Sequence, residues 1–150
     1  MSPMMKPVAI AAVLLAAGCG QPEGGAPDAS KASALAGLPA PYNTADLDHG
    51  KALFAQCRAC HTVVKDGANM TGPNLYGVFG RQAASKEGYD YSDALEAAAF
   101  TWDASRLNDW IAAPRTYLPG TKMTFLGFPE EKDRIDLIAY LKVETGYAKP

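Results

Sequence analysis

A pair of cysteines three residues apart, followed at once by a histidine, is the feature that most restricts how this chain can fold. The segment reads Cys57-Arg58-Ala59-Cys60-His61, and this spacing is typical of covalent c-type haem attachment. The two thiols can add to the vinyl groups of a porphyrin, and the adjacent imidazole then reaches the iron from one face. The sequence therefore predicts one haem c with His61 as the proximal iron ligand.

Two other uses of closely spaced cysteines are zinc binding and dithiol redox chemistry. A structural zinc ion needs four ligands, whereas the third cysteine, Cys19, lies 38 residues before Cys57 in a hydrophobic leader. A thioredoxin-like dithiol would be expected inside a βαβ unit, and no such pattern surrounds the motif. Haem attachment therefore explains the motif better than either alternative.

The first 18 residues have the pattern of an export signal. Lys6 provides a positive charge, Val8 to Ala17 form a ten-residue apolar run, and Gly18 follows. Such a run is too short for a membrane helix, which needs roughly 20 residues. Leu15-Ala16-Ala17-Gly18-Cys19 resembles a bacterial lipobox, so we expect residues 1–18 to be removed as a signal peptide and Cys19 to be acylated. The alternative is an ordinary signal peptide and a soluble periplasmic protein.

Composition divides the rest of the chain into a linker and one folded domain. Residues 19–41 are rich in Gly, Pro, Ala and Ser and lack an apolar period, which predicts a lipid-anchored flexible linker. Residues 42–150 are long enough for one small domain, in which the haem must form part of the core. A net charge of −2 and a sequence pI near 5.6 do not favour a nucleic-acid partner. We expect the domain to be a monomer.

The spacing of apolar residues predicts four short helices in the folded domain. A helix over about residues 45–57, preceded by the cap candidates Asn43-Thr44, would deliver the cysteines, and Gly50 would let the last helix come very close. Between His61 and Phe79 the many glycines and prolines predict an irregular loop. The other three helices are predicted after the cap Ser92 (to about Ala99), after the cap Asp103 (ended by Pro114), and from Pro129 to about Thr145.

Several longer segments of the folded domain have characteristic sequences. They are Thr71-Gly72-Pro73-Asn74-Leu75 with Gly77-Val78-Phe79-Gly80-Arg81, Gly88-Tyr89-Asp90-Tyr91-Ser92-Asp93-Ala94, Tyr117-Leu118-Pro119-Gly120-Thr121-Lys122-Met123, and Arg134-Ile135-Asp136-Leu137-Ile138-Ala139-Tyr140-Leu141-Lys142. Together they resemble class I cytochromes c of the mitochondrial and bacterial c2-like branch, over about residues 45–145. The resemblance implies an all-α class I cytochrome c fold, with about four to five short helices wrapped around one covalently attached haem.

The resemblance also implies roles for individual side chains around the haem. Arg81, Tyr91 and Trp102 would donate hydrogen bonds to the haem propionates, because buried carboxylates need several donors. The carbonyl of Pro73 would accept a hydrogen bond from His61 and raise the basicity of that ligand. From the residues alone, a plain turn at Pro73 is an equally good interpretation.

Met123 is the candidate for the second axial ligand of the iron. Beyond the leader only Met70 and Met123 carry thioethers, and Met70 lies nine residues after His61, in the loop that wraps the same face of the haem. The Pro119-Gly120-Thr121-Lys122-Met123 segment also resembles the sixth-ligand loop of the family. We interpret the other histidine, His49, as a solvated residue near the start of the first helix.

Some positions depart from the family pattern. Trp110 stands where a tyrosine usually reaches the Met sulfur, and Leu95 stands where an asparagine usually joins a buried water network. We therefore expect Trp110 to contact the haem in a drier pocket. The lysine ring that guides mitochondrial cytochromes to acidic partners is thin, since residues 42–150 hold 12 Lys and Arg against 14 Asp and Glu.

An iron whose axial positions are filled by His61 and Met123 has no open site for oxygen or peroxide, which leaves outer-sphere transfer of one electron. The resemblance therefore implies an electron carrier rather than an enzyme. Its expected partners are a bc1-type complex as donor and a terminal oxidase or photosynthetic reaction centre as acceptor. We expect it on the periplasmic side of a bacterial membrane. The alternative is a haem-based ligand sensor or small peroxidase with a displaceable Met123.

Overall fold

A computed structural model describes residues 29–147. The predicted signal peptide and the predicted acylation of Cys19 lie outside the described residues. Within them the chain is helical and has no β-strand, apart from one isolated bridge between Gln82 and Thr101. The prediction of an all-α fold is confirmed. The helices are α1 (Ala29–Ala36), α2 (Leu47–Phe54), α3 (Asp93–Glu96), α4 (Ala104–Ala112), α5 (Pro114–Tyr117) and α6 (Glu131–Glu144), with a 3₁₀ turn at Tyr42–Thr44.

The crossing of α2 and α6 is the main helix contact. A side-chain carbon on Gly50 would overlap the backbone carbonyl of Asp136 and the Cβ of Tyr140. One turn later, the rings of Phe54 and Tyr140 pack with their centroids 5.5 Å apart. The prediction that Gly50 lets the last helix come very close is confirmed.

The start of α2 differs from the prediction. Asp46, rather than Asn43 or Thr44, is the N-cap residue, and its carboxylate accepts hydrogen bonds from the backbone N–H groups of Asp48 and His49, each at 3.0 Å. The helix therefore begins at Leu47. Residues 42–44 are used by the preceding 3₁₀ turn.

The same helix also ends earlier than predicted, at Phe54. A series of tighter turns then carries the chain through the cysteine motif, with hydrogen bonds of 2.9 Å from Cys57 N–H to Phe54 O and from His61 N–H to Cys57 O. These turns bring both cysteines and the histidine to one side of the chain.

The two predicted middle helices have the expected N-cap residues. The first is shorter than predicted, and an additional short helix follows the second. Ser92 caps α3, which ends at Glu96 instead of near Ala99, and Asp103 caps α4 by accepting a 2.8 Å hydrogen bond from Arg106 N–H. Pro114 ends α4 and also begins α5, a short helix that the sequence analysis missed. Proline suits the first position of a helix, where its missing N–H costs nothing.

The last helix, α6, runs from Glu131 to Glu144. The prediction placed Pro129 at its first position, but Pro129 lies before the N-cap residue Glu130. At the other end, Gly146 has a positive φ of 72° beside the end of the helix, which is the backbone conformation that glycine adopts most readily.

The predicted linker is partly folded. Residues 29–36 form α1, which contacts α6 and the 3₁₀ turn, and Lys31 Nζ lies 2.7 Å from Asp48 Oδ2 at the start of α2. This segment is helical because its Ala-rich sequence has high helix propensity and finds a surface to contact. No helix among residues 29–147 is long and apolar enough to cross a membrane.

The core lies where α2, α4 and α6 meet the long loops. Its buried side chains come from these three helices, from α3 and from the loops before α4 and before α6, so the loops form part of the core wall. The largest of them are Phe54, Tyr91, Leu95, Trp102, Leu107, Trp110, Ile111, Phe128, Leu137, Ile138 and Leu141. Many of these residues line a single large cavity.

Candidate haem-binding site

A cavity of about 340 Å³ opens into the middle of this core, within the size range of cofactor sites. Its apolar wall includes Leu95 and Leu107 together with Leu137 and Leu141 of α6. All the site residues predicted around the haem line this cavity. They are Cys57, Cys60, His61, Pro73, Arg81, Tyr91, Trp102, Trp110 and Met123.

The two cysteines are free thiols at one side of the cavity. Burial, followed by the neighbouring Cys60, raises the pKa of the Cys57 thiol to about 11. Cys57 is therefore a neutral thiol at pH 7. Both sulfur atoms are available for bonding to a ligand in the cavity, since the structure forms no disulfide between them.

His61 is held in one orientation. Its Nδ1 atom lies 2.7 Å from the carbonyl oxygen of Pro73, and the backbone of Gly72 lies so close to the ring that a Cβ there would overlap it. Because a carbonyl can only accept, the proton must be on Nδ1, which leaves the lone pair on Nε2. Burial lowers the pKa of His61 although the Pro73 hydrogen bond opposes this shift, so the neutral imidazole is favoured. This tautomer can bind a metal through Nε2.

Three polar side chains and one further indole reach the cavity. The guanidinium of Arg81 donates to the carbonyls of Tyr76 and Asn74, each at 3.1 Å. Burial raises the pKa of Tyr91 although a hydrogen bond from the Lys86 backbone opposes this shift, so its hydroxyl stays protonated. The indole N–H groups of Trp102 and Trp110 have no hydrogen-bond partner among residues 29–147, yet neither indole nitrogen is sealed from open space.

Met123 reaches the cavity from the loop between α5 and α6. Its backbone N–H donates to Thr121 Oγ1 at 3.2 Å, and Gly127 lies so close to the carbonyl of Ala112 that a Cβ would overlap it. These contacts hold both ends of residues 121–127, the part of the loop that carries Met123. Met70, in contrast, is 49% exposed and is not part of the cavity wall.

The comparison with known protein families agrees with this geometry. Residues 47–143 match the family model described as "Cytochrome c". The chain belongs to the cytochrome c family.

Individual proteins similar to this chain are also cytochromes c. A cytochrome c from Gibberella zeae is 48% identical over 101 residues, which are 67% of this chain and 95% of the relative. A cytochrome c homolog from Bradyrhizobium diazoefficiens is 42% identical over 71% of this chain and 59% of its own length. Among solved structures, cytochrome cH from Methylobacterium extorquens superposes with a TM-score of 0.60 at 45% identity, covering 65% of this chain and 97% of that one.

Family membership establishes the general properties of the site. The fold is the class I cytochrome c fold, and the cofactor of the family is a covalently attached haem c with its iron. Members are electron-transfer proteins rather than enzymes, so those predictions are confirmed. The residues present fit the cofactor, because two thiols, an oriented imidazole, apolar walls and unpaired indole N–H groups face one cavity. When bound, the haem supplies the iron that gains and loses the electron.

Among the described residues, no three His, Cys, Asp or Glu side chains lie together in a way that could hold a metal ion. His49 is outside the cavity wall. The prediction that it is merely solvated holds only in part, because its side chain is 41% exposed but its Nδ1 lies 2.8 Å from Asp136 Oδ2.

Asn74 is a buried polar residue next to the site to which the sequence pattern assigned no role. Its side chain is fully buried, and its Nδ2 donates to Thr62 Oγ1 at 2.6 Å and to Val64 O at 3.0 Å. Its Oδ1 accepts from Tyr76 N–H at 3.0 Å. The available signal was its place directly after Pro73, inside the irregular loop that follows His61.

Proposed function

We propose that this chain is a one-electron carrier whose haem iron is bound axially by His61 and Met123. The observation that supports this most strongly is the 2.7 Å contact between His61 Nδ1 and Pro73 O, because it leaves Nε2 as the free imidazole nitrogen. Met123 lines the same cavity, whereas the other methionine outside the leader, Met70, does not. Arg81, Tyr91 and Trp102 are proposed to donate to the propionates.

This ligand set determines the proposed chemistry. With two strong axial ligands the site has no place for oxygen or peroxide, so the electron moves by outer-sphere transfer. A thioether ligand favours Fe(II) more than a second imidazole would, which gives a relatively high reduction potential. Such a potential suits a carrier between a bc1-type complex and a terminal oxidase or photosynthetic reaction centre.

The surface near the cavity supports docking through apolar contact. Leu126 is 90% exposed and follows Phe125, which lines the cavity. The domain has 12 Lys and Arg against 14 Asp and Glu over residues 42–150, so a strong positive field is missing. Partner binding should therefore depend less on salt than it does for a lysine-rich cytochrome.

We further propose that the protein is held at the periplasmic side of a bacterial membrane by acylated Cys19. The docked helix α1 begins at Ala29, so only the nine residues 20–28 separate the proposed anchor from a helix that contacts the domain. The ten residue steps from Cys19 to Ala29 span at most about 35 Å. The haem domain would then stay close to the membrane surface and sample partners within the same membrane.

Optical spectra of the haem-loaded protein test the axial ligands. The oxidised protein should show the far-red sulfur-to-iron charge-transfer band, and the reduced protein should not bind carbon monoxide at neutral pH. Binding of carbon monoxide by the native reduced protein would contradict the proposal and favour a ligand sensor or small peroxidase.

Membrane fractionation tests the anchor separately. The wild type should remain with membranes after a carbonate wash, and mass analysis should find an acylated Cys19 as the mature N-terminus. The Cys19→Ser variant should lose both properties while keeping its haem spectrum. A soluble wild-type protein with a different N-terminus would rule out the anchor and leave a freely diffusing periplasmic cytochrome.

A further inference from the structure

The hydrogen bond from His61 to Pro73 depends on a carbonyl that the proline itself does little to hold. Proline has no N–H of its own, and the peptide plane that contains Pro73 O is held through the next residue, whose N–H donates to Asn69 Oδ1 at 2.9 Å. The position of Pro73 O must come from the residues on either side of it. On the N-terminal side, Gly72 N–H donates to Cys60 O at 2.8 Å. On the C-terminal side the chain continues into Asn74 and Tyr76.

Both of these following residues are held by one guanidinium. Arg81 donates from Nη2 to Asn74 O and from Nη1 to Tyr76 O, each at 3.1 Å. A planar fork of this kind fixes two acceptors relative to each other, which a lysine ammonium cannot do with the same geometry. The buried side chain of Asn74 adds the bond to Thr62, directly after His61. Arg81 and the Asn74 side chain therefore hold the residues after Pro73 next to the residues after His61.

The same guanidinium also lines the cavity. It has five N–H groups, of which the two carbonyl bonds use two. The remaining donors can serve the cavity without releasing the loop. Arg81 thus contacts both the cofactor cavity and the segment next to the histidine.

We propose that Arg81 is a positioning residue that keeps the Pro73 carbonyl within hydrogen-bonding distance of His61 and so sets the basicity of that ligand. This role is additional to any hydrogen bond between Arg81 and a propionate, and it rests on the proposed function in that His61 is taken as an iron ligand. A carbonyl held against Nδ1–H strengthens the imidazole as a donor to the iron. Releasing the carbonyl weakens this effect without removing either axial ligand.

The test is solvent exchange of the His61 Nδ1 proton, followed by NMR in the reduced, haem-loaded protein. Arg81→Lys keeps the positive charge but loses the fork. Exchange should become faster, on the order of tenfold, as expected when hydrogen bonds of ordinary strength are lost. The resonance should also shift toward that of a weaker hydrogen bond. Exchange at the wild-type rate in this variant would overturn the proposal.

Two control variants separate this effect from others. Arg134→Lys removes a similar clamp on the carbonyls of Phe128 and Pro129, at 2.8 and 2.6 Å, outside the cavity wall, and should leave the His61 proton unchanged. Tyr91→Phe removes a proposed propionate donor but leaves the clamp, so it should shift the reduction potential without changing the exchange rate. Equal acceleration in either control would contradict a specific role for Arg81.

A measurement on the wild type covers the case in which Arg81→Lys does not fold. Under low concentrations of guanidinium, the His61 Nδ1 proton and the Arg81 guanidinium protons should exchange through one opening event, with the same denaturant dependence. Different dependences would overturn the proposal. The far-red sulfur-to-iron band is recorded in parallel, because its loss in the wild type would mean failure of the Met123 assignment rather than failure of the clamp.

Discussion

Gly50 of α2 packs directly against the backbone carbonyl of Asp136 in α6, with no room for a side chain between the two helices. Replacing Gly50 with alanine should therefore destabilise the haem-loaded protein by about 1–3 kcal/mol, the usual cost of overpacking. The higher helix propensity of alanine, worth up to about 1 kcal/mol, is too small to offset a clash with backbone. Guanidinium unfolding followed by circular dichroism measures the difference.

Gly37→Ala is the matched control for this prediction. A Cβ at Gly37 would lie 3.8 Å from Ala34 O, an ordinary contact, so the free energy of unfolding should change by less than about 0.5 kcal/mol. Equal stability of the two variants would show that the helices separate at little cost.

Asp136 should make the protein sensitive to acid. Its side chain is 1% exposed; burial by itself raises its pKa, but hydrogen bonds from Lys132 (2.6 Å), His49 (2.8 Å) and the Asp46 N–H (2.9 Å) lower it overall from 3.8. A carboxylate whose pKa is lower in the folded state stabilises the fold above the unfolded pKa and loses that effect as pH falls below it. The stabilisation should thus begin to fall below about pH 4 and be lost as the pH passes below the lowered folded-state pKa of Asp136.

Comparison of Asp136→Asn with the wild type measures this effect. The variant should be less stable at pH 7 by about 1–3 kcal/mol, the cost of disturbing buried hydrogen bonds to a charged group, and the gap should narrow below about pH 4. Asp109→Asn, at an exposed position of α4, serves as the control. A gap that stays constant from pH 7 to pH 3 would contradict the assigned role.

Met123→Ala should leave the haem attached, because the thioether bonds expected at Cys57 and Cys60 do not depend on the sixth ligand. The reduction potential should fall, and carbon monoxide should bind the reduced protein. Met70→Ala is the control, since Met70 is 49% exposed and should leave the spectrum unchanged. Retention of the far-red charge-transfer band in Met123→Ala would refute the ligand assignment.

Trp110→Tyr should shift the reduction potential while the fold stays intact. Trp110 packs edge-on against Trp102 and Tyr117, with centroid distances of 5.3 and 6.0 Å, and a tyrosine retains much of this contact while placing a hydroxyl near the ligand loop. Voltammetry measures the shift. Trp110→Phe separates the hydroxyl from the change in size; identical potentials in the two variants would show that the hydroxyl has no effect.

The docking of α1 should weaken when the ion pair between Lys31 and Asp48 is broken. The two side chains are 42% and 71% exposed, and such a pair contributes less than about 1 kcal/mol. Amide exchange in residues 29–36 should therefore be up to about fivefold faster in Asp48→Lys. The double variant Lys31→Asp with Asp48→Lys restores opposite charges and should recover most of the protection. No recovery would show that other contacts hold α1.

Features that depend on spacing within a short segment could be predicted from the sequence. The Cys57 to His61 motif identified the cofactor, because thiol attachment and iron binding need only neighbouring residues in a turn. The caps Ser92 and Asp103 marked helix starts, since a cap acts on the next three residues. The missing side chain of Gly50 predicted a close helix crossing for the same local reason.

Tertiary structure decided how remote polar groups are paired. Asp136 meets His49 across 87 residues and Asp46 across 90, and Arg81 binds the carbonyls next to Pro73 rather than only facing the cavity. The docking of α1 likewise depends on a surface formed by α6. The residue pattern within a segment specifies the helix, turn or ligand that this segment forms. The partner of a buried charge or carbonyl depends instead on which distant segments the tertiary packing places beside it.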